Sequence, residues 1–273
     1  MEKALQAVNV SYSYNTAKNI IEDINLCIDD NEFTAITGRN GSGKTTLLKN
    51  FTGLLSPSAG EIYIWGKNSR NMSVSAIAGE IGFVMQNPDR QLFADTVYDE
   101  AAFALKCAKV PANEIKRRVS DALAACGLSD AHDSFPPALS RGERAKVVIA
   151  SVLAMGAKII IFDEPAGGQD FRSCQTIMGI AADLHRNGHT IIFVTHNMSL
   201  AAQYARRVIV MDNKRIVMDG TPREVFCASR EFSRITPPQI TLLSRELRKH
   251  LALKENALSV AELGDMLLGM NVG

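Results

Sequence analysis

Shortages set the first limits on this sequence. Aromatic residues make up only 6% of 273 positions, with a single tryptophan, and the formal net charge is +1. Binding to nucleic acid or to an acidic substrate calls for clustered excess Lys and Arg, and the overall charge balance gives no sign of it. Five cysteines, Cys27, Cys107, Cys126, Cys174 and Cys227, stand far apart, odd in number and without a CxxC pair. That spacing suits neither a disulfide framework nor a structural zinc site, and reduced thiols in a cytosol are the expectation. No apolar run approaches the roughly 20 residues that a bilayer-spanning helix needs. VVIASVLAM, among the longest, extends only from Val147 to Met155. The N-terminal MEKALQAVNV has no basic stretch leading into an apolar one, so neither a secretory signal nor a membrane span is expected.

What is present reads as an α/β protein, with 46% hydrophobic and 22% charged residues. NEFTAITGRNGSGKTTLLKNFTGLL is an apolar strand ending near Thr37, a Gly-rich turn, and a helix carrying Leu47, Leu48 and Phe51. EIYIWG and IGFVM are short strand candidates. From about Asp95 to Ala154 the pattern is helical, through TVYDEAAFALKCA and NEIKRRVSDALAACG to a Pro-Pro break. Strands return at KIIIF, HTIIFVT and RVIVM, separated by a helix through CQTIMGIAADLHRNG. Apolar strands alternating with helices imply a parallel sheet covered on both faces. The expected organisation is an α/β unit over residues 1–222, with helices inserted at about 95–154, and a helical extension over 223–273. In the extension Ile240, Leu243, Leu247 and Leu251 share a stripe, followed by an apolar cluster around Leu263 to Leu268. Taken alone, such a stripe would cover the sheet of the first unit.

Gly38-Arg39-Asn40-Gly41-Ser42-Gly43-Lys44-Thr45 matches G-x-x-x-x-G-K-[ST] at every position. Glycines let the loop wrap so that successive N–H groups converge on an anion, and the following helix, which runs on through Thr46, offers its positive end. Lys44 is placed to reach the β- and γ-phosphates, and the Thr45 hydroxyl to ligate Mg²⁺. In IIIFDEP a buried strand lifts Asp163 to its C-terminal end, where open α/β sheets place their ligands. Asp163 would hold Mg²⁺, and Glu164 would polarise the water that attacks the γ-phosphate. ATP with Mg²⁺ is therefore the expected ligand.

The chain also carries SYSYN, FVMQNPD, LSRGER, AGGQD and VTHN in that order around these motifs. Together they resemble the nucleotide-binding subunit of an ABC transporter. The resemblance implies a P-loop NTPase of ABC ATPase type: α/β, with a mixed sheet core, an inserted α-helical subdomain and a small helical C-terminal extension. It further implies that Tyr14 stacks on adenine, Gln86 ligates Mg²⁺ or water, and His196 hydrogen-bonds the γ-phosphate. Each has a plainer alternative: a half-buried strand aromatic, with Tyr12 pointing the same way, a solvated glutamine, and a packed ring. Ser140, Arg141, Gly142 and Glu143 resemble the signature that caps a partner's ATP, and Asp170 the D-loop aspartate. Read alone, LSRGER is a helix start capped by serine.

QNPDRQLFADTVYDEAAF and TPPQITLLSRELR are similar to segments of energy-coupling factor ATPases, subunits that drive uptake of vitamins and transition-metal ions. That implies a second ATPase subunit, with the C-terminal stripe serving dimerisation, a transmembrane coupling subunit, a substrate-binding membrane subunit, and a peripheral place on the cytoplasmic face of the membrane. The cargo and the choice between homo- and heterodimer stay open. A soluble ABC ATPase acting on nucleic acid or ribosomes is the alternative, although such proteins resemble tandem or coiled-coil-split cassettes. Departures gather on the trans-acting face. Arg141 stands where the pattern has glycine, Glu143 where it has glutamine, and Ala166, Gly167 and Gln169 depart from the usual TAGLD. Arg141 would either add charge stabilisation or obstruct closure.

Overall fold

A computed structural model describes residues 2–14, 18–165, 167, 170–228, 235–251 and 253–270. Two sheets share one core. The larger has six strands: β3 (Phe33–Gly38), β6 (Ile81–Val84), β7 (Ile159–Asp163), β8 (Thr190–Val194), β9 (Arg207–Asp212) and β10 (Arg215–Gly220), ordered β10-β9-β3-β8-β7-β6. All neighbours are parallel except β10, which returns antiparallel beside β9. β3, β7 and β8 are buried at every residue, as strands covered on both faces must be.

The pleat sorts the side chains into two layers. Ile36, Ile159, Ile161, Ile192, Val194, Ile209 and Met211 pack on one side with Leu47, Leu48 and Phe51 of α1 (Lys44–Phe51). Their alternates, Ala35, Ile160, Phe162, Ile191, Phe193, Val208 and Val210, face the helices on the other side. That side is built from α3 (Val97–Cys107), α4 (Ala112–Ala125), α5 (Arg141–Met155) and α6 (Phe171–Arg186). α2 (Val74–Glu80) leads into β6, and α7 (Met198–Tyr204) links β8 to β9.

The second sheet, ordered β2-β1-β4-β5, is antiparallel and covers α1: β1 (Lys3–Tyr12), β2 (Ile21–Asp29), β4 (Ala59–Ile64) and β5 (Lys67–Asn68). Sequence periodicity gave no clear sign of β1 and β2, and the pairing shows why. Register shifts between Ala7 and Val10, and again before Tyr12, break the alternation, with Asn9 and Asp23 at positive φ on either side of the kink.

At the C-terminal end, α8 (Gln239–Leu247) and α9 (Val260–Met270) close a small core of Leu253, Ala257 and Leu263. The expected stripe divides there. Ile240 and Leu247 pack into this core, whereas Leu243 and Leu251 are 51% and 37% exposed. The reason is polar: buried Thr241 donates to the Ala257 carbonyl at 2.8 Å, and the Ser244 hydroxyl accepts from the Ala257 N–H at 2.9 Å. Those two residues turn the helix so that its inward face is hydrogen-bonded, not wholly apolar. Arg223, just past β10, bonds to this unit through Glu255 at 2.8 Å, the Asn256 carbonyl at 3.1 Å, and Glu262.

α5 crosses β6 at Gly82, where an added Cβ would lie 1.9 Å from Val152 Cγ1. Gly82→Ala is expected to destabilise by about 1–3 kcal/mol through overpacking, lowering Tm in thermal unfolding. The double variant Gly82→Ala/Val152→Ala should unfold at a higher temperature than Gly82→Ala alone.

Candidate functional site

β3 runs straight into the Gly-rich loop. At Gly38, φ is 140° and a Cβ would sit 1.9 Å from the Met211 carbonyl oxygen of β9, so only glycine fits this exit from the sheet. Gly43, at φ 102°, is the residue before α1, and a Cβ there would meet Ile21 Cγ2 at 2.5 Å. With glycine in the capping position no side chain satisfies the first N–H groups of α1, which leaves them for an anion. Lys44 is buried and donates to the carbonyls of Gly38 at 2.9 Å and Arg39 at 3.0 Å. Burial pulls its pKa below the usual lysine value, while Glu164 and Asp163 oppose that fall. Its ammonium is thus held over the loop by contacts that a phosphate oxygen can replace.

β7 delivers the two carboxylates. Asp163 is buried, which raises its pKa, and its Oδ1 lies 3.5 Å from the Thr45 hydroxyl across the loop. Glu164 has φ 55°, a left-handed backbone unusual for a residue other than glycine, and its N–H donates to the Val194 carbonyl at 3.1 Å. Its Oε1 lies 2.8 Å from His196 Nε2. Desolvation pushes Glu164 up to about 7, against the opposing pull of the His196 backbone N–H and Lys44. Burial, with Lys44 adding to it, lowers His196. Both shifts disfavour an imidazolium–carboxylate pair, so a neutral ring faces the carboxyl group.

These groups enclose one cavity of about 470 Å³. Asn40, Gly41 and Gly43 to Thr46 form one wall, and Gln86, Asp163, Glu164 and His196 the opposite one. Backbone N–H groups, a lysine, a buried aspartate and a carboxylate beside an imidazole can together hold a polyphosphate and orient a water. The Thr45 hydroxyl, the Asp163 carboxylate and the Gln86 side-chain oxygen are hard donors suited to Mg²⁺. Among the described residues no group of three or more His, Cys, Asp or Glu could hold a metal alone.

Other residues singled out from sequence lie elsewhere. Ser42 belongs to the loop but is buried, with its hydroxyl unpartnered, and Arg39 is exposed. Tyr14 is 56% exposed, rests edge-on against Tyr12 at 5.1 Å, and does not line the cavity. Ser140 and Glu143 form a reciprocal cap at the start of α5. The Ser140 hydroxyl donates to Glu143 Oε2 at 2.6 Å, and the Ser140 N–H donates to the same oxygen at 2.9 Å. Gly142 lies in the first turn of that helix. Arg141 Nη2 donates to the Gly167 carbonyl at 3.0 Å. Asp170 caps α6, accepting from the Ser173 N–H at 2.8 Å. Ala166 and Gln169 lie outside the described residues.

Sequence reasoning overlooked a second, larger cavity of about 680 Å³ on the far side of Glu164 and His196. Gly167, Thr195 to Ser199 and Thr236 to Gln239 complete its lining, and no residue of the Gly-rich loop reaches it. The Pro237-Pro238 pair is its visible sequence signal, since two prolines hold that wall extended.

The model of the ABC transporter family matches residues 21–167. A putative ABC transporter ATP-binding protein of Caldanaerobacter subterraneus is 41% identical over 257 residues, covering 93% of this chain but 45% of its own length. The chain thus spans less than half of that relative, and 43% of a similar protein from Methanosarcina mazei. It covers 96% of the energy-coupling factor transporter ATP-binding protein EcfA2 of Caldanaerobacter subterraneus, at 39% identity over 275 residues, or 97% of this chain. Among solved structures, cbiO1 of Clostridium perfringens, part of the ABC transporter complex cbiONQ, superposes with a TM-score of 0.79 at 34% identity, over 92% of this chain and 97% of that one. With a family match over more than half of its length, and relatives of this identity along nearly all of it, the chain belongs to the ABC transporter family.

Proposed function

We propose that this chain binds ATP with Mg²⁺ and hydrolyses it to power an importer of the energy-coupling factor type. One observation carries the chemistry: Glu164 lies 2.8 Å from His196 in the cavity that also holds Lys44, Thr45 and Asp163. The relative EcfA2, matched over almost its whole length, and the likeness to cbiO1 support the transport role. The cassette sits peripherally at the cytoplasmic face, held there by membrane subunits.

Lys44 exchanges its bonds to the loop carbonyls for oxygens of the β- and γ-phosphates, while N–H groups from Asn40 to Thr46 wrap the chain of phosphates. Thr45, Asp163 and Gln86 would hold Mg²⁺, which would neutralise charge on the phosphates. Glu164 accepts a proton from the attacking water, and its strained backbone keeps the carboxylate turned into the cavity. His196, whose Nε2 stands 2.8 Å from that carboxylate, turns its ring N–H toward the γ-phosphate when ATP is bound. Tyr14, exposed just beyond β1, stacks on adenine. A second cassette supplies Ser140 and Gly142 across the interface, with Asp170 beside them, and ATP holds the pair closed. The exposed Leu242, Leu243 and Leu251 of the extension add an apolar contact between the two subunits.

Lys44→Ala is expected to weaken nucleotide binding about tenfold or more, measured by titration with a fluorescent ATP analogue. Glu164→Gln should bind ATP normally, lose about 10²–10⁴-fold in hydrolysis, and accumulate as an ATP-dependent dimer on size exclusion. Hydrolysis by Glu164→Gln at the wild-type rate would remove Glu164 from the role of base. A tagged full-length chain should co-purify from detergent-solubilised membranes with a multispan protein. Its recovery with ribosomes or nucleic acid instead would overturn the transport reading.

A further inference from the structure

The third position of LSRGER admits two opposed readings from sequence, charge offered to a partner's polyphosphate or bulk that obstructs closure. Its geometry matches neither. Arg141 stands in the first turn of α5 and donates from Nη2 to the Gly167 carbonyl at 3.0 Å, across 26 residues of chain. Its Nε is enclosed and has no partner among the described residues. The guanidinium is therefore drawn inward, onto its own chain.

Gly167 is where several strands of the site meet. Its N–H donates to the Glu164 carbonyl at 2.8 Å, closing a turn immediately after the acidic pair. Its Cα faces the Gln86 side chain so closely that a Cβ would lie 2.8 Å from Nε2 and 3.0 Å from Cγ. Arg141 holds the carbonyl of the same residue. The bond thus runs from the start of α5 to the turn that carries Glu164 and rests on Gln86.

We propose that Arg141 is a positioning residue acting in cis, whose bond to Gly167 holds the turn after Glu164 and so links the signature segment to this chain's own hydrolytic carboxylate. The proposal rests on the reading of the site as one half of a composite ATPase. Glycine at this position could not reach the turn, and lysine would bring a compact, strongly hydrated ammonium in place of the planar guanidinium. A displacement of the start of α5, of the kind a nucleotide engaged across an interface would cause, is passed directly to the Gly167 peptide.

Hydrogen exchange on the nucleotide-free chain separates this from action on a partner's nucleotide. In Arg141→Ala the Gly167 amide should exchange about tenfold faster, with Arg141→Lys intermediate and the buried half of α5 unchanged. Steady-state kcat should fall about tenfold, with the KM for ATP within about twofold of wild type. Unchanged exchange at Gly167, with a raised KM or weaker ATP-driven association, would overturn the proposal in favour of a contact to the partner's nucleotide. Should Arg141→Ala not fold, Gly167→Ala provides a second route, because its methyl displaces the acceptor against Gln86. In that background Arg141→Lys should change kcat no further, and additive effects would contradict the link. Absence of ATP hydrolysis in the wild type would defeat the functional reading itself, while the exchange comparison would still decide whether Arg141 holds the turn.

Discussion

The backbone bond from the Glu164 N–H to the Val194 carbonyl, at 3.1 Å, is the constraint on which the site turns. Consecutive residues of a strand point to opposite faces. Left to the pleat alone, Asp163 and Glu164 would diverge, one toward the phosphate loop and one away from it. The bond to β8, together with φ of 55° at Glu164, bends the chain just past β7 so that both carboxylates line one cavity. β8 in turn ends beside the His196 loop, so the strand that fixes the bend also presents the imidazole. A left-handed glutamate costs of order 1–3 kcal/mol and persists only where neighbouring structure enforces it. Here fully buried strands on either side do so.

The parts of this arrangement that are legible in sequence are those whose chemistry lies in contiguous residues. The Gly-rich loop specifies its own wrap, because Gly38 and Gly43 occupy conformations and spaces that no side chain tolerates. The apolar runs before Asp163 and His196 announce strands buried on both faces. What stays hidden depends on long-range pairing. β1 and β2 change register at a bulge, and a pattern with period two cannot survive such a shift. The α8 stripe counts apolar residues correctly but misses that Thr241 and Ser244, being hydrogen-bonded, take the inward face. The contact from Arg141 to Gly167 has no local signature, since it depends on how α5 lies against the turn after β7.

The C-terminal segment shows how an appended unit can still belong to the site's surroundings. Thr236 to Gln239 form one wall of the larger cavity, opposite the loop from Thr195 to Ser199. Asn197 holds that loop at the start of α7 by accepting from the N–H groups of Ser199 at 3.0 Å and Leu200 at 3.2 Å. His196 therefore stands between two cavities, with the phosphate loop on one side and the two prolines of the extension on the other. Arg223, just past β10, is bonded to Glu255, Glu262 and the Asn256 carbonyl, so the chain leaving the last strand is held against the small C-terminal core.

The start of α5 concentrates charge in a way that its departures from the family pattern make intelligible. Glu143 replaces an amide with a carboxylate yet keeps the reciprocal cap, because a capping box needs only an acceptor at that position. Bonds from the Ser140 hydroxyl and N–H hold its pKa below the usual range, and a negative charge at a helix N-terminus is favourable. That same charge would repel an approaching polyphosphate if it stood unopposed. Two arginines flank it, but Arg144 is paired with Asp89 at 2.7 Å and Arg141 is turned onto Gly167. Both arginines beside Glu143 are thus engaged within the chain, while Lys146 adds an opposing charge of its own. The Ser140 hydroxyl and N–H are likewise given to Glu143, so the cap and the charges at this helix start answer one another within the chain.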